Sequence, residues 1–171
     1  LLPESVTLAI HHDETPIYAE ADREGLEKVL FQLVVNARDA MPGGGRLVIE
    51  ARSGAGLPGP AHAVGVGKKP AHDVLLQISD TGTGMNLDTQ ARMFDPFFST
   101  KFAGRGLGLA AVLGIVRGHG GGLRVTSVPS VGTTFEIILP SRVAEALEPR
   151  DHETLPEVDV TRQLVLVIDD E

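Results

Sequence analysis

The chain has 171 residues, 42% of them hydrophobic, and carries a formal net charge of −8 from 15 basic and 23 acidic side chains. That length and composition suit one sizeable domain with a buried core. An acidic chain with no basic block excludes a nucleic-acid surface. The absence of cysteine excludes disulfides and thiolate metal sites, and no apolar run approaches the ~18 residues of a membrane span. The chain opens "LLPESVTLAI", with neither Met nor the basic region of a signal peptide, and is expected to be a piece of a longer protein.

Strand character appears first in "SVTLAIH", where Val6, Leu8 and Ile10 alternate, and "PIYAEAD" predicts a second short strand. Asp22 then stands as a helix N-cap with Glu24 in the first turn. Leu26, Leu30, Leu33, Ala37 and Met41 recur at helical spacing, supported by Val29, Val34 and Ala40. The helix is predicted to stop at "MPGGG". "RLVIEAR" follows as a strand, with Leu47, Ile49 and Ala51 on one face. Residues 53–70, rich in Gly, Pro and Ala, predict a long loop. "DVLLQISD" is the next strand and runs into the turn "DTGTGM"; a short helix is expected over "LDTQARMF". "DPFFSTKFAGRG" is irregular. A helix from Leu107 to about His119 is closed by Gly120, Gly121 and Gly122, and "LRVTSV" with "TTFEIILP" predicts a hairpin. Residues 141–163 are charged, contain prolines and lack an apolar face, as a linker does. "LVLVIDDE" at 164–171 has the pattern of a buried parallel strand.

Several positions could carry chemistry. Gln32, Asn36 and Asp39 share one face of the first helix at i, i+4 and i+7. A solvated face is one reading. The other is that Asn36, flanked by apolar residues, offers an amide oxygen suited to Mg²⁺. Asp80 before Gly82 and Gly84 is common turn chemistry; it is also a carboxylate able to accept from an exocyclic amine, with glycines that let backbone approach a flat ring. Gly104, Gly106 and Gly108 follow G-x-G-x-G spacing, with no preceding strand, which counts against a dinucleotide fingerprint. They leave either a hinge or an anion cradle at a helix N-terminus, with Lys101 and Arg105 as flanking cations.

In order, "FQLVVNARDAM", "DTGTGM", "MFDPFFSTK", "GRGLGLAAVLGIV" and "GTTF" resemble the N box, first glycine box, F box, second glycine box and third glycine box of bacterial sensor histidine kinases. The resemblance covers residues 1–140, the ATP-binding catalytic domain, whose fold is shared with the gyrase and MutL ATPases. "NARDAM" and "FFSTK" are most similar to the nitrogen-regulator and hybrid branch. The resemblance implies an α/β (α+β) two-layer sandwich: a mixed, mostly antiparallel sheet with helices on one face and a Bergerat-type ATP site under a lid. It implies ATP and Mg²⁺ as cofactors. Asn36 would hold the metal and Asp80 the adenine amine, beside Gly82 and Gly84. Phe94, Pro96, Phe97 and Phe98 would root the lid. Lys101, Gly104, Arg105, Gly106, Leu107 and Gly108 would surround the phosphates, Asp39 would lie near them, and Gly132 and Thr133 would lie near the adenine.

Two positions depart from the pattern. Gln32 stands where hydrolytic relatives carry a Glu that activates water, and an amide is a poor general base. Gln32 and Lys101 remain the only candidates for a catalytic role, and steady hydrolysis is not expected. Ser130 stands where the third glycine box often begins with Gly. No histidine resembles the family's phosphoacceptor; His11, His12, His62, His72, His119 and His152 are expected to be non-catalytic and mostly solvent-facing. The implied partners are a dimerisation domain bearing that histidine, through which the parent would be a homodimer, and a receiver domain. Residues 164–171 resemble a receiver's first strand, with Asp169 and Asp170 as its metal-binding acids. A cytoplasmic location follows from the same resemblance. The rival readings are a hydrolytic ATPase of this fold and a non-catalytic nucleotide-sensing or docking module.

Overall fold

The computed structural model describes residues 2–54, 73–100 and 106–141. The predicted linker beyond Ser141, the receiver-like strand, most of the 53–70 loop, and Lys101, Gly104 and Arg105 lie outside them.

Five strands form one sheet. β1 (Val6–His12), β2 (Gly45–Gly54), β3 (Asp73–Asp80), β4 (Gly122–Val128) and β5 (Gly132–Pro140) lie in the order β1-β2-β3-β5-β4. β1 and β2 are parallel, with Leu8 opposite Leu47 and Ile10 opposite Ile49; the other pairs are antiparallel. The parallel pair is possible because α1 (Arg23–Ala40) makes the crossover between them. α2 (Leu87–Arg92) and α3 (Gly108–Gly118) complete the domain. The mixed, mostly antiparallel sheet is the one expected.

The periodicities explain the layers. Leu26, Val29, Leu33 and Ala37 make one buried stripe on α1, and Val112, Leu113 and Val116 make one on α3. They pack on the alternate residues Leu47 and Ala51 of β2, Leu76 and Ile78 of β3, Leu123 and Val125 of β4, and Phe135 and Ile137 of β5. The opposite face of the sheet is polar. There Arg124 and Glu136 make a two-bond ion pair across β4 and β5, with side chains only 13% and 9% exposed.

Asp22 caps α1 as predicted, its Oδ2 accepting from Gly25 N–H at 2.6 Å. Gly44, at φ 90°, takes the left-handed conformation that ends the helix connection. One expectation needs correction. "PIYAEAD" is not a strand. Among the described residues it meets the edge of the sheet at the bridge Ala19–Ser141 and through the bond from Glu20 N–H to Pro140 O at 2.9 Å, while Ala19 and Ala21 pack on the core. Its partner is the proline-ended tip of β5, and Pro140 has no N–H with which to continue a ladder. The strand predicted over "SVTLAIH" is present as β1; on this edge strand Val6 is in the core, whereas Leu8 and Ile10 are nearly half exposed. Ser53 and Gly54, predicted as loop, close β2.

Candidate functional site

The candidate site lies where β3 ends against the last turn of α1. Asp80 is the final residue of β3, opposite Leu47 on one side and Thr133 on the other. Its Oδ1 accepts from Gly82 N–H at 2.8 Å, an Asx turn that reverses the chain. The turn then sits directly on α1: Thr83 N–H donates to Ala40 O at 2.9 Å. A Cβ at Gly82 would lie 2.6 Å from that same oxygen and 2.7 Å from Ala40 Cβ, so only glycine fits. Gly84, at φ 63°, is folded against the Val128 carbonyl, where any side chain would overlap backbone.

Asn36 lies one helical turn before Ala40 and is half-buried. Gln32 Nε2 donates to its Oδ1 at 3.1 Å. Asp39 is on the same helix, and its Oδ1 accepts from Arg38 Nε and Nη2 at 3.0 and 2.8 Å, which offsets its charge locally. Gln32 also lines an apolar groove between α1 and α3 with Phe31, Gly108, Val112 and Ile115.

Thr133, buried beside Asp80, belongs to a hydroxyl relay. Ser127 Oγ donates to Gly132 O at 3.1 Å, accepts from Met85 N–H at 2.8 Å, and lies 2.9 Å from Thr133 Oγ1. Ser127 has a single proton, already given to Gly132, so Thr133 is the donor of the last bond and keeps its lone pairs. The motif-based reading missed Ser127. A signal existed: Ser127 shares the apolar face of β4 with Leu123 and Val125, and a serine on a buried face needs partners. Ser130, in place of the expected glycine, keeps the turn intact at φ 62°, with its N–H bonded to Thr83 O at 2.8 Å.

The second glycine run is partly described. Gly106, at φ 64°, accepts from Phe97 N–H at 2.9 Å, and Phe97 itself holds φ 68°, unusual for an aromatic residue. Phe94 packs on the core, Phe98 lies under Arg92 with the guanidinium 4.4 Å from the ring centre, and Phe97 is exposed. Leu107 starts α3 without a side-chain cap, and Gly108 is its first residue.

Among the histidines, His11 and His12 are exposed as expected, and His119 is half-buried. Its Nδ1 bonds Ile115 O at 2.8 Å and its Nε2 accepts from Asp22 N–H at 2.9 Å, a structural tie between α3 and α1. Among the described residues, no cluster of His, Cys, Asp or Glu could hold a metal ion unaided, and no helix is long and apolar enough to cross a membrane.

The sequence profile described as "Histidine kinase-, DNA gyrase B-, and HSP90-like ATPase" matches residues 21–143, and the chain belongs to that family. Within it, the similarity runs to sensor histidine kinases. The chain is 38% identical over 149 residues to sensor kinase CckA of Brucella abortus, a match covering 85% of this chain and 15% of that protein. It is 37% identical over 120 residues to the signal transduction histidine-protein kinase AtoS of Escherichia coli, covering 70% and 17%. The chain therefore spans less than a fifth of the length of these two relatives. Among solved structures, it superposes on the mycobacterial sensor histidine kinase MprB with a TM-score of 0.61 at 28% identity, covering 81% of this chain and 83% of the other. It superposes on full-length ShkA in complex with AMPPNP with a TM-score of 0.63 at 26% identity, covering 82% and 27%. The part of such kinases that the chain matches is their catalytic ATPase domain.

Proposed function

We propose that the domain binds ATP with Mg²⁺ and presents the γ-phosphate to a histidine on a separate dimerisation domain, for later passage to a receiver aspartate. The observation that carries this reading is the seating of the Asp80 turn on Ala40, one turn from Asn36. It makes a carboxylate acceptor and a metal-suited amide parts of one rigid junction. Asp80 and the lone pairs of Thr133 are both acceptors, which suits the amine of adenine and disfavours the carbonyl guanine carries there. Gly82 and Gly84 bring backbone up to the ring.

Asn36 Oδ1 fits Mg²⁺: it is a hard oxygen with a lone pair beyond the one Gln32 occupies, and the nucleotide's phosphates would supply further ligands. When bound, Mg²⁺ supplies charge neutralisation at the phosphates. Asp39 would face the same ion. The uncapped first amides of α3, at Leu107 and Gly108, suit a phosphate. Gly104, Gly106, Lys101 and Arg105 would complete the cradle. Gln32, one turn before Asn36, is an amide and a poor general base, which favours transfer by positioning and charge stabilisation over steady hydrolysis.

The linker at 141–163, a receiver beginning at 164, the homodimeric parent, its cytoplasmic location and its place near the nitrogen-regulator branch belong to the same proposal. The test is titration with a fluorescent ATP analogue, with and without Mg²⁺. Saturable, Mg²⁺-enhanced binding is expected. Absence of binding by a chain with an intact circular dichroism spectrum would sink the reading. Incubated with radiolabelled ATP, the chain alone should acquire no phosphohistidine.

A further inference from the structure

Gln32 occupies an unusual position between two helices. Its amide donates to Asn36 Oδ1 along α1, and its Cδ, Nε2 and Oε1 occupy the space that a Cβ on Gly108, at the start of α3, would fill. No Cβ can exist at position 108 while Gln32 keeps this rotamer, because it would come closer to the amide than real Cβ contacts do. Gln32 is half-buried and lines the groove between the helices, which leaves part of it within reach of solvent. Asn36 in turn has one of its oxygen's lone pairs fixed by this bond.

We infer that Gln32 is a positioning residue that links the seating of the α3 N-terminus to the orientation of the Asn36 amide. With Gly108 against it, Gln32 holds its donor on Asn36 Oδ1, so the oxygen, and not the NH₂ group, is kept toward its other partner. Displacement of Gly108 frees Gln32 to rotate, and Asn36 loses its fixed orientation. The glycine at 108 therefore has a steric task distinct from backbone flexibility, its φ not being in the left-handed region. The inference rests on the reading of Asn36 as the Mg²⁺-side residue.

The test measures the gain in ATP-analogue affinity on adding Mg²⁺ in the 171-residue chain and its variants, with thermal unfolding as the fold control. Gln32→Met keeps the shape and removes the donor. It should reduce the Mg²⁺-dependent gain about fivefold, the size of one neutral hydrogen bond. A purely packing role for Gln32 predicts no such change. Gly108→Ala should reduce the gain in the parent, where the methyl meets Gln32, and reduce it less in a Gln32→Ala background, where that contact is gone. An unchanged gain in Gln32→Met, or additive losses in the double variant, overturns the inference. Should Gly108→Ala not fold, Gln32→Met decides alone. A parent chain that binds the analogue without any Mg²⁺-dependent gain overturns the reading of Asn36 itself, which separates the two failures.

Discussion

His119 and Asp22 are 97 positions apart in sequence and joined by a hydrogen bond of 2.9 Å, from the Asp22 backbone N–H to the imidazole Nε2. The carbonyl of Ile115 can only accept, so the ring's proton is on Nδ1 and Nε2 is left as the acceptor. One side chain thus satisfies a backbone donor at the N-cap of α1 and a carbonyl in the last turn of α3. Gly25 gives the ring space: a Cβ there would lie 3.2 Å from His119 Cε1. Replacing His119 with Ala should lower stability by about 1–2 kcal/mol, the sum of two ordinary hydrogen bonds. Urea unfolding measures it, and an unchanged midpoint would show that the tie contributes nothing.

Asp80→Asn keeps the size of the side chain and its bond to Gly82 but can turn a donor toward a bound amine. A hydrogen bond to a charged group is worth about 1.5–3 kcal/mol, so affinity for the ATP analogue should fall about tenfold or more. A matched guanine analogue should lose far less. Equal losses for both bases would remove Asp80 from the role of reading adenine.

Asn36→Ala should abolish most of the Mg²⁺-dependent gain in nucleotide affinity while Mg²⁺-free binding stays near that of the parent. Asn36 is half-buried and outside the α1 stripe packed in the core, so the fold should survive. Calorimetric titration at two Mg²⁺ concentrations makes the comparison; a variant with the parent's full metal response contradicts the assignment.

Arg124 and Glu136 form a nearly buried pair, and hydrogen bonding that the guanidinium donates to the Glu136 carboxylate holds its pKa above the ordinary value against the cost of burial. A raised cation pKa adds stability that is complete below the unfolded value and fades only as pH climbs past the folded one. The contribution of Arg124 should therefore be flat through neutral pH. Glu136→Ala, which takes the carboxylate away from a buried guanidinium, should cost about 3–5 kcal/mol, whereas Arg124→Met with Glu136→Leu should be close to neutral. Thermal unfolding of both variants checks the contrast, and equal losses would show that the charge left behind is not the cause.

Elements with a strong period could be read from the chain. The α1 stripe, the Asp22 cap and the β3 alternation are set by local chemistry, and the structure keeps them. Near the site, the sequence singled out Asn36, Asp80, Gly82, Gly84 and Thr133, and the fold gathers their elements at one junction. The mistaken strand at Pro16–Asp22 has the right residue types, but pairing needs a partner with free donors, and Pro140 at the meeting point has no N–H to give. His119 and Ser127 were passed over because their roles depend on distant partners, Asp22 in one case and Met85 in the other. The bond from Gln32 to Asn36 obeys helical spacing and was legible as proximity; the pressure of Gly108 on Gln32 required the helix crossing to be known.

The single parallel pairing in the sheet has a consequence for how the chain reaches this structure. β4 and β5 are neighbours in sequence and meet through the short turn at Pro129–Val131, so closing that hairpin costs little chain entropy. β1 can dock on β2 only after α1 has formed and folded back across the gap, the costlier closure. Assembly is thereby polarised from the C-terminal hairpin toward the N-terminal edge. β1 becomes the last strand to arrive and the first to leave when the domain opens locally.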